Sequence, residues 1–373
     1  MKRISILFLF VALSINAIAQ TPSIKDKTKG LKATNGYFDY YFDENNDKIW
    51  LKVDRLNDEF LYANYLAAGV GSNDLGLDRS QQGGERVVYF EKRGPKLFLI
   101  QPNLNYIAKS ENELEKKSVR EAFASSIIES FKIEAQDGNS YLIDLTPFLI
   151  RDSHGVSGKL RRMGEGSYNL DKSRSALYNE GTFNFPKNTE FEAILTFGGS
   201  PTGRYLRSVV PDASSITVRT HHSFVELPDD NYTPREFDPR GGFYATSYMD
   251  YASPIDEPMT KRFINRHRLE KKNPRAAISE PVEPIVYYLD NGTPEPVRSA
   301  LLEGGRWWNQ AFEATGYKNA FQVKVLPDDA HPLDIRYNVI NWVHRSTRGW
   351  SYGGSVVDPR TGEIIKGNVL LGS

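Results

Sequence analysis

Cysteine is absent from all 373 residues. Disulfides, thiolate metal ligands and a lipid-modified cysteine anchor are therefore excluded, and stability must come from burial. The zinc signature H-E-x-x-H is missing as well. The six histidines are His154, His221, His222, His267, His331 and His344, and no two stand four apart, so the chain carries no helix-borne imidazole pair. Surplus charge is lacking too, with 47 basic against 47 acidic side chains and no long run of either sign. Neither nucleic acid nor an anionic membrane is favoured as a partner. After the first residues no apolar stretch approaches the roughly 20 residues of a spanning helix, and no membrane anchor is expected.

What is present begins with Lys2 and Arg3, an apolar run from Ile4 to Val11 and Leu13, and the small-residue pattern Ala17-Ile18-Ala19. This reads as a signal peptide over residues 1–19, so the protein is expected to be exported, to the periplasm or the extracellular space. Residues 20–34 form a polar leader. A β-rich domain is expected over 35–227, in which Phe38, Tyr40 and Phe42, then Ile49, Leu51 and Val53, alternate around an Asn45-Asn46-Asp47 turn as in a hairpin. Strands are predicted at 59–69, 85–92 and 95–102, the last two joined at Arg93-Gly94. Their period of two implies one buried and one solvated face. Further strands are predicted at 124–135, 140–143, 190–197 and 216–227, with a short helix near Thr146 that takes Pro147 in its first turn.

Residues 228–282 are rich in Pro, Gly, Asp and Tyr, with little periodicity, and read as an extended connector with a basic amphipathic end at 261–277. A new rhythm starts at residue 283. Pro284–Asp290 is a short apolar run typical of a strand covered on both faces. A helix should follow, with Thr293 as N-cap, Val297, Leu301, Trp308 and Phe312 on one face, and Gly316 at its C-terminal end. Strands at 321–327 and 334–343 and a hairpin through Pro359 and Gly362 complete an α/β layer, the returning strand being 363–371.

Chemistry-bearing residues are sparse. His221 and His222 are adjacent in a strand and point to opposite faces, which favours structural roles over shared ligation. His331 and His344 read as polar caps at strand ends, and His154 beside Asp152 and Ser153 gives no triad by adjacency. The Gly pairs beginning at 83, 198, 241, 304 and 353 read as turns or helix contacts, not phosphate loops. Trp307-Trp308 reads as packing between helix and sheet before it reads as a sugar platform.

Three stretches, 218–256, 306–345 and 349–373, together with KGLKATNGYFDYYFDENNDKIWLKV near the start, resemble a family of large bacterial exported zinc-dependent metalloproteases. Those combine an N-terminal domain of unknown function with a metzincin-like catalytic domain. The resemblance implies an α+β protein: a β-rich N-terminal domain, then an incomplete metzincin-like α/β subdomain over 283–373 that ends before the helix bearing the zinc motif. It implies Zn in the full-length enzyme, where a zinc-bound water would attack a peptide carbonyl with the motif Glu as base. No zinc is expected on this chain, and the partners implied are a protein or peptide substrate and the missing C-terminal part of the catalytic domain. It also implies an edge strand over 363–371 that pairs with extended substrate, making Gly367, Asn368 and Val369 the candidate substrate-binding residues. The competing expectation is a complete, non-catalytic exported β-rich module that binds a polymer or acts as a prosegment.

Overall fold

A computed structural model describes residues 21–373 except 73, 348 and 350; the signal-peptide assignment lies outside these residues. Among the described residues the fold is β-rich, α+β in class, and built on four sheets. In the first, β1 (Lys32–Thr34), β2 (Tyr40–Asp43), β3 (Lys48–Val53), β10 (Ser140–Asp144) and β9 (Ala135–Asp137) are joined in the order β1-β2-β3-β10-β9. The predicted hairpin is there, Tyr40 opposite Leu51 and Phe42 opposite Ile49. The leader is no loose tail: Ile24–Lys27 forms a helical turn, α1, capped by Ser23. Ile24 is buried against Trp50, Ala135 and Leu142, so one apolar side chain in a polar stretch suffices to dock it.

The second sheet is the scaffold. It runs β11 (Gly166–Leu177), β13 (Asn188–Pro201), β14 (Ser215–Glu226), β4 (Phe60–Ala68), β5 (Gln81–Arg93), β6 (Lys96–Gln101), β8 (Ser126–Lys132), with β12 (Phe183–Asn184) on β13. One face packs Phe60, Phe90, Phe191 and Phe224 against the first sheet and against Phe148 of α3 (Thr146–Leu149), where Pro147 takes the expected first-turn place. Each buried Phe contributes on the order of 2 kcal/mol. Farther along, Leu195, Phe197 and Val218 pack on α4 (Val156–Arg162).

The expected solvated face is not found on β4, where Phe60 through Tyr65 alternate sides and all but Tyr65 are buried. Leu61, Val87 and Val225 on the outer face meet Val356 of the last sheet and Ile335 of the segment that leads into it. Period two signals alternation of side; it cannot reveal that another layer covers the second side.

The supposed connector contains structure of its own. β15 (Ala245–Asp250) and β16 (Thr260–Ile264) form a hairpin, and β15 also pairs with β7 (Tyr106–Ile107), beside α2 (Glu113–Ala122). The basic segment from Lys261 is strand first and then a bridged irregular chain.

The last sheet has the order β18-β17-β19-β21-β20, from β17 (Ile285–Leu289), β18 (Phe321–Val325), β19 (Asn338–Val343), β20 (Tyr352–Val357) and β21 (Ile364–Gly372). Four strands are parallel and β20 is antiparallel. Between β17 and β18 lie α5 (Val297–Trp307) and α6 (Asn309–Ala314). The helix starts later than expected because Glu295 precedes Pro296, and a residue before proline is disfavoured in helical conformation. Thr293 is buried but caps nothing. Gly316 adopts the left-handed conformation past the helix end, φ 84°.

Two packing expectations are corrected. β17 is buried only at its ends. No side chain of α5 or α6 is fully buried, and Trp307 and Trp308 are 64% and 67% exposed. The helix approaches the sheet through Gly305, whose missing Cβ leaves room for Val323, so the close face is the one without bulk. The Gly pairs at 83, 198 and 353 lie inside β5, β13 and β20, not in turns. Among the described residues no helix is long and apolar enough to cross a membrane.

Candidate functional site

Beside the apolar contact between the second and last sheets lies a cavity of about 310 Å³, lined among others by Tyr65, Glu190, Glu192, His221, Lys366 and Asn368. Antiparallel register places Glu190 opposite Ser223 and Glu192 opposite His221, while Tyr65 of β4 is opposite His221 on the other side. Four polar side chains thus share one face of two neighbouring strands. Their alternate residues Phe191, Ala193, His222 and Phe224 face the apolar core.

His221 is held from both ring nitrogens. Nε2 meets Glu190 in a short hydrogen bond and Nδ1 is 3.4 Å from Glu192 Oε2. Burial alone would pull its pKa down, but the hydrogen bonds to the two carboxylates outweigh it and lift the ring to about 9. An imidazolium with both N–H groups donating has no lone pair for a metal or a proton. Ser223 Oγ donates to Glu190, whose carboxylate is also held by His221 Nε2. Arg219 Nε lies 3.1 Å from Glu192 Oε1 and completes the charge balance. Lys366 reaches the same cavity from β21. Burial draws its pKa down to about 8 against the pull of Glu190 and Asp334, and its ammonium donates to the carbonyls of Pro332 and Asp334. The arrangement is a buried, balanced polar cluster joining two sheets, with no nucleophile prepared in it.

Gly367, Asn368 and Val369 are not on a sheet edge, which corrects the expected position of the 363–371 strand. β21 is paired with β19 on one side, Val339 opposite Asn368, and with β20 on the other, Gly354 opposite Asn368. The hairpin turn at Pro359 was legible; that the earlier of its two strands would take the border was not. Gly367 packs so tightly that a Cβ would sit 2.1 Å from Tyr287 Oη. Asn368 Oδ1 accepts from Asn341 Nδ2 at 2.7 Å, and its side chain lines the cavity.

The border strand β20 faces β5. Gln82 Nε2 donates to the Ser355 carbonyl at 3.3 Å, and Val357 N–H donates to Glu85 Oε2 at 3.3 Å. Burial raises Glu85 to about 7, against the effect of that backbone hydrogen bond. At the same junction Arg345 Nε donates to Asp78 Oδ2 at 2.7 Å, both side chains almost fully buried, and the Tyr352 hydroxyl donates to the same oxygen at 3.3 Å.

The other histidines are placed singly. His222 bonds the Tyr62 hydroxyl at 2.9 Å on the opposite face from His221, His154 bonds Gln81, and His331 packs on Phe183 at a centroid distance of 4.1 Å. Among the described residues no group of three or more His, Asp or Glu side chains is arranged to hold a metal ion. Sequence reasoning missed Glu190, Glu192, Ser223 and Lys366. The available signal was charged residues at alternate places in strands that are otherwise apolar, which marks a buried polar face.

Residues 80–272 match the family model described as Domain of unknown function (DUF5117). No curated protein and no solved structure matches the chain. The matched segment runs from the start of β5 past β16 and contains Glu190, Glu192, His221 and Ser223, but not the last sheet.

Proposed function

The chain belongs to the DUF5117 family, and from that premise we propose that it is the N-terminal portion of an exported zinc-dependent metallopeptidase that hydrolyses peptide bonds in its full-length form. The observation that carries this reading is the last sheet. Its strand, helical crossover and further strands, four parallel and one antiparallel, resemble the strand, helix, two more strands and edge strand that the metzincin-like resemblance implies ahead of a zinc helix, with the border at β20 and not at 363–371. The residues present do not fit a zinc site, since His221 has both nitrogens engaged and, among the described residues, no other cluster is arranged for it. The metal would be held by residues outside this chain, and no catalytic step is assigned to those within it.

A second reading is favoured by the junction at β20. Side chains of β5 satisfy the outward carbonyl of Ser355 and the outward N–H of Val357, where an added strand would need those groups. This supports a prosegment-like role in which the family domain covers the border that peptide would otherwise use. The deciding experiment is to read the gene beyond the codon for Ser373. An H-E-x-x-H within about 40 residues, the reach of a short loop plus helix, supports the peptidase. Its absence, or stoichiometric tight zinc and peptide cleavage by residues 20–373 alone, overturns it.

A further inference from the structure

On the face of the scaffold sheet opposite the Glu190–His221 cluster lies a second cleft, of about 360 Å³, formed by Tyr62 and Asn64 of β4, Arg86 of β5, Ile127 and Ile128 of β8, and the Arg151-Asp152-Ser153 turn between α3 and α4. Register explains the convergence. Tyr62 and Asn64 are two apart on one strand, and Arg86 is directly opposite Tyr62.

Three buried donor atoms around this cleft have no partner in hydrogen-bond geometry. Asn64 is 4% exposed, and its Oδ1 is fixed by the Gly84 N–H at 2.7 Å, which leaves Nδ2 as a buried donor with no partner. Arg151 Nε and Ser153 Oγ are also buried without a partner. Leaving such groups unmatched is costly, so three at one place call for an acceptor. The Arg151 guanidinium stacks 3.9 Å above the Phe148 ring, which holds its plane. The one carboxylate of the cleft is already committed, because Asp152 accepts from the N–H groups of Val156 and Ser157 at 2.7 and 3.0 Å. Glu129 forms an ion pair with Arg151 at 3.8 Å, longer than a hydrogen bond, and the Tyr62 hydroxyl is bonded to His222 and also interacts with Arg151 and Ser153.

We propose that this cleft binds a compact oxyanion, a carboxylate or phosphoryl group, held by Arg86, Arg151, Asn64 Nδ2 and Ser153 Oγ. Two guanidinium groups supply planar forks matched to such an anion, and the amide and hydroxyl complete its shell. The site stands apart from the peptidase reading, since no residue of the last sheet contributes to it.

The test titrates residues 20–373 with inorganic phosphate in one arm and glutarate in the other, at constant ionic strength set with chloride, reading the thermal midpoint and the heat of binding. A saturable rise in midpoint with either anion is expected. Arg86→Gln should weaken binding about tenfold or more, while Arg93→Gln, on an exposed side chain, leaves it unchanged. Response to phosphate alone assigns a phosphoryl ligand, and response to glutarate alone a carboxylate. No saturable response to either, or equal responses in wild type and Arg86→Gln, overturns the proposal. Arg151→Gln adds a second reading; should it fail to fold, Arg86→Gln decides alone, because Arg86 is only half-buried.

Discussion

His221 and His222 are neighbours in β14 and titrate in opposite directions. Burial, with Arg151 and His221 adding to it, pushes His222 down to about 3, whereas Glu190 and Glu192 carry His221 up to about 9 in spite of burial. A ring whose folded pKa exceeds its unfolded value stabilises the fold fully below about 6.5, and that contribution is lost as pH rises through 9. Lys366 acts oppositely in a later window: its folded value near 8 lies below the ordinary 10.5, so its penalty disappears between those limits. The wild-type profile therefore mixes both, and a difference isolates the histidine. His221→Gln should cost a few kcal/mol at pH 6, and the gap from wild type should narrow steadily up to pH 9. Urea unfolding at pH 6, 7.5 and 9 measures it; a gap independent of pH would mean the ring is neutral in the fold.

The helix that crosses the last sheet makes a paired prediction. Gly304 has nothing within 4 Å of an added Cβ, while at Gly305 a Cβ would lie 2.7 Å from Val323 Cγ2. Alanine in a helix is favoured over glycine by about 1 kcal/mol, so Gly304→Ala should stabilise by up to that amount. At Gly305 overpacking against a buried valine costs about 1–3 kcal/mol and wins, so Gly305→Ala should destabilise. Chemical denaturation of the two variants checks the signs. Elements were legible where composition and period agreed: the Tyr40–Val53 hairpin, the strands flanking Gly94, α3 with its Pro147, and the Pro359 turn. The β15–β16 hairpin escaped because Pro, Gly and Asp around it mask two short strands. The polar cluster escaped because pairing of 190–192 with 221–223 is a long-range fact that neither stretch carries alone. Membership of the last strand in the sheet interior was hidden for the same reason.

At the scale of the whole molecule, the second and last sheets are joined by an apolar contact, a polar cavity, the hydrogen bonds between β5 and β20 and the Asp78–Arg345 pair. Removing the negative charge of a buried ion pair is destabilising, by about 3 kcal/mol. Asp78→Asn keeps the shape and should lower the thermal midpoint by several degrees, with protease cutting appearing between the two layers before global unfolding. A midpoint unchanged within a degree would show that the pair contributes nothing to holding them.

β4 lies in the middle of the scaffold, yet one of its two partners is β14: Tyr62 reaches His222 across 160 residues of chain. A ribosome or translocase that delivers the polypeptide from its amino end must release all of that length before the strand can be zipped on both sides. Until then a run of Phe60, Leu61 and Tyr62 stands open to wrong neighbours, and closure of so long a loop is slow. Maturation of this protein is therefore paced by the arrival of its own middle, and a holding chaperone should matter more to its yield than to its final stability.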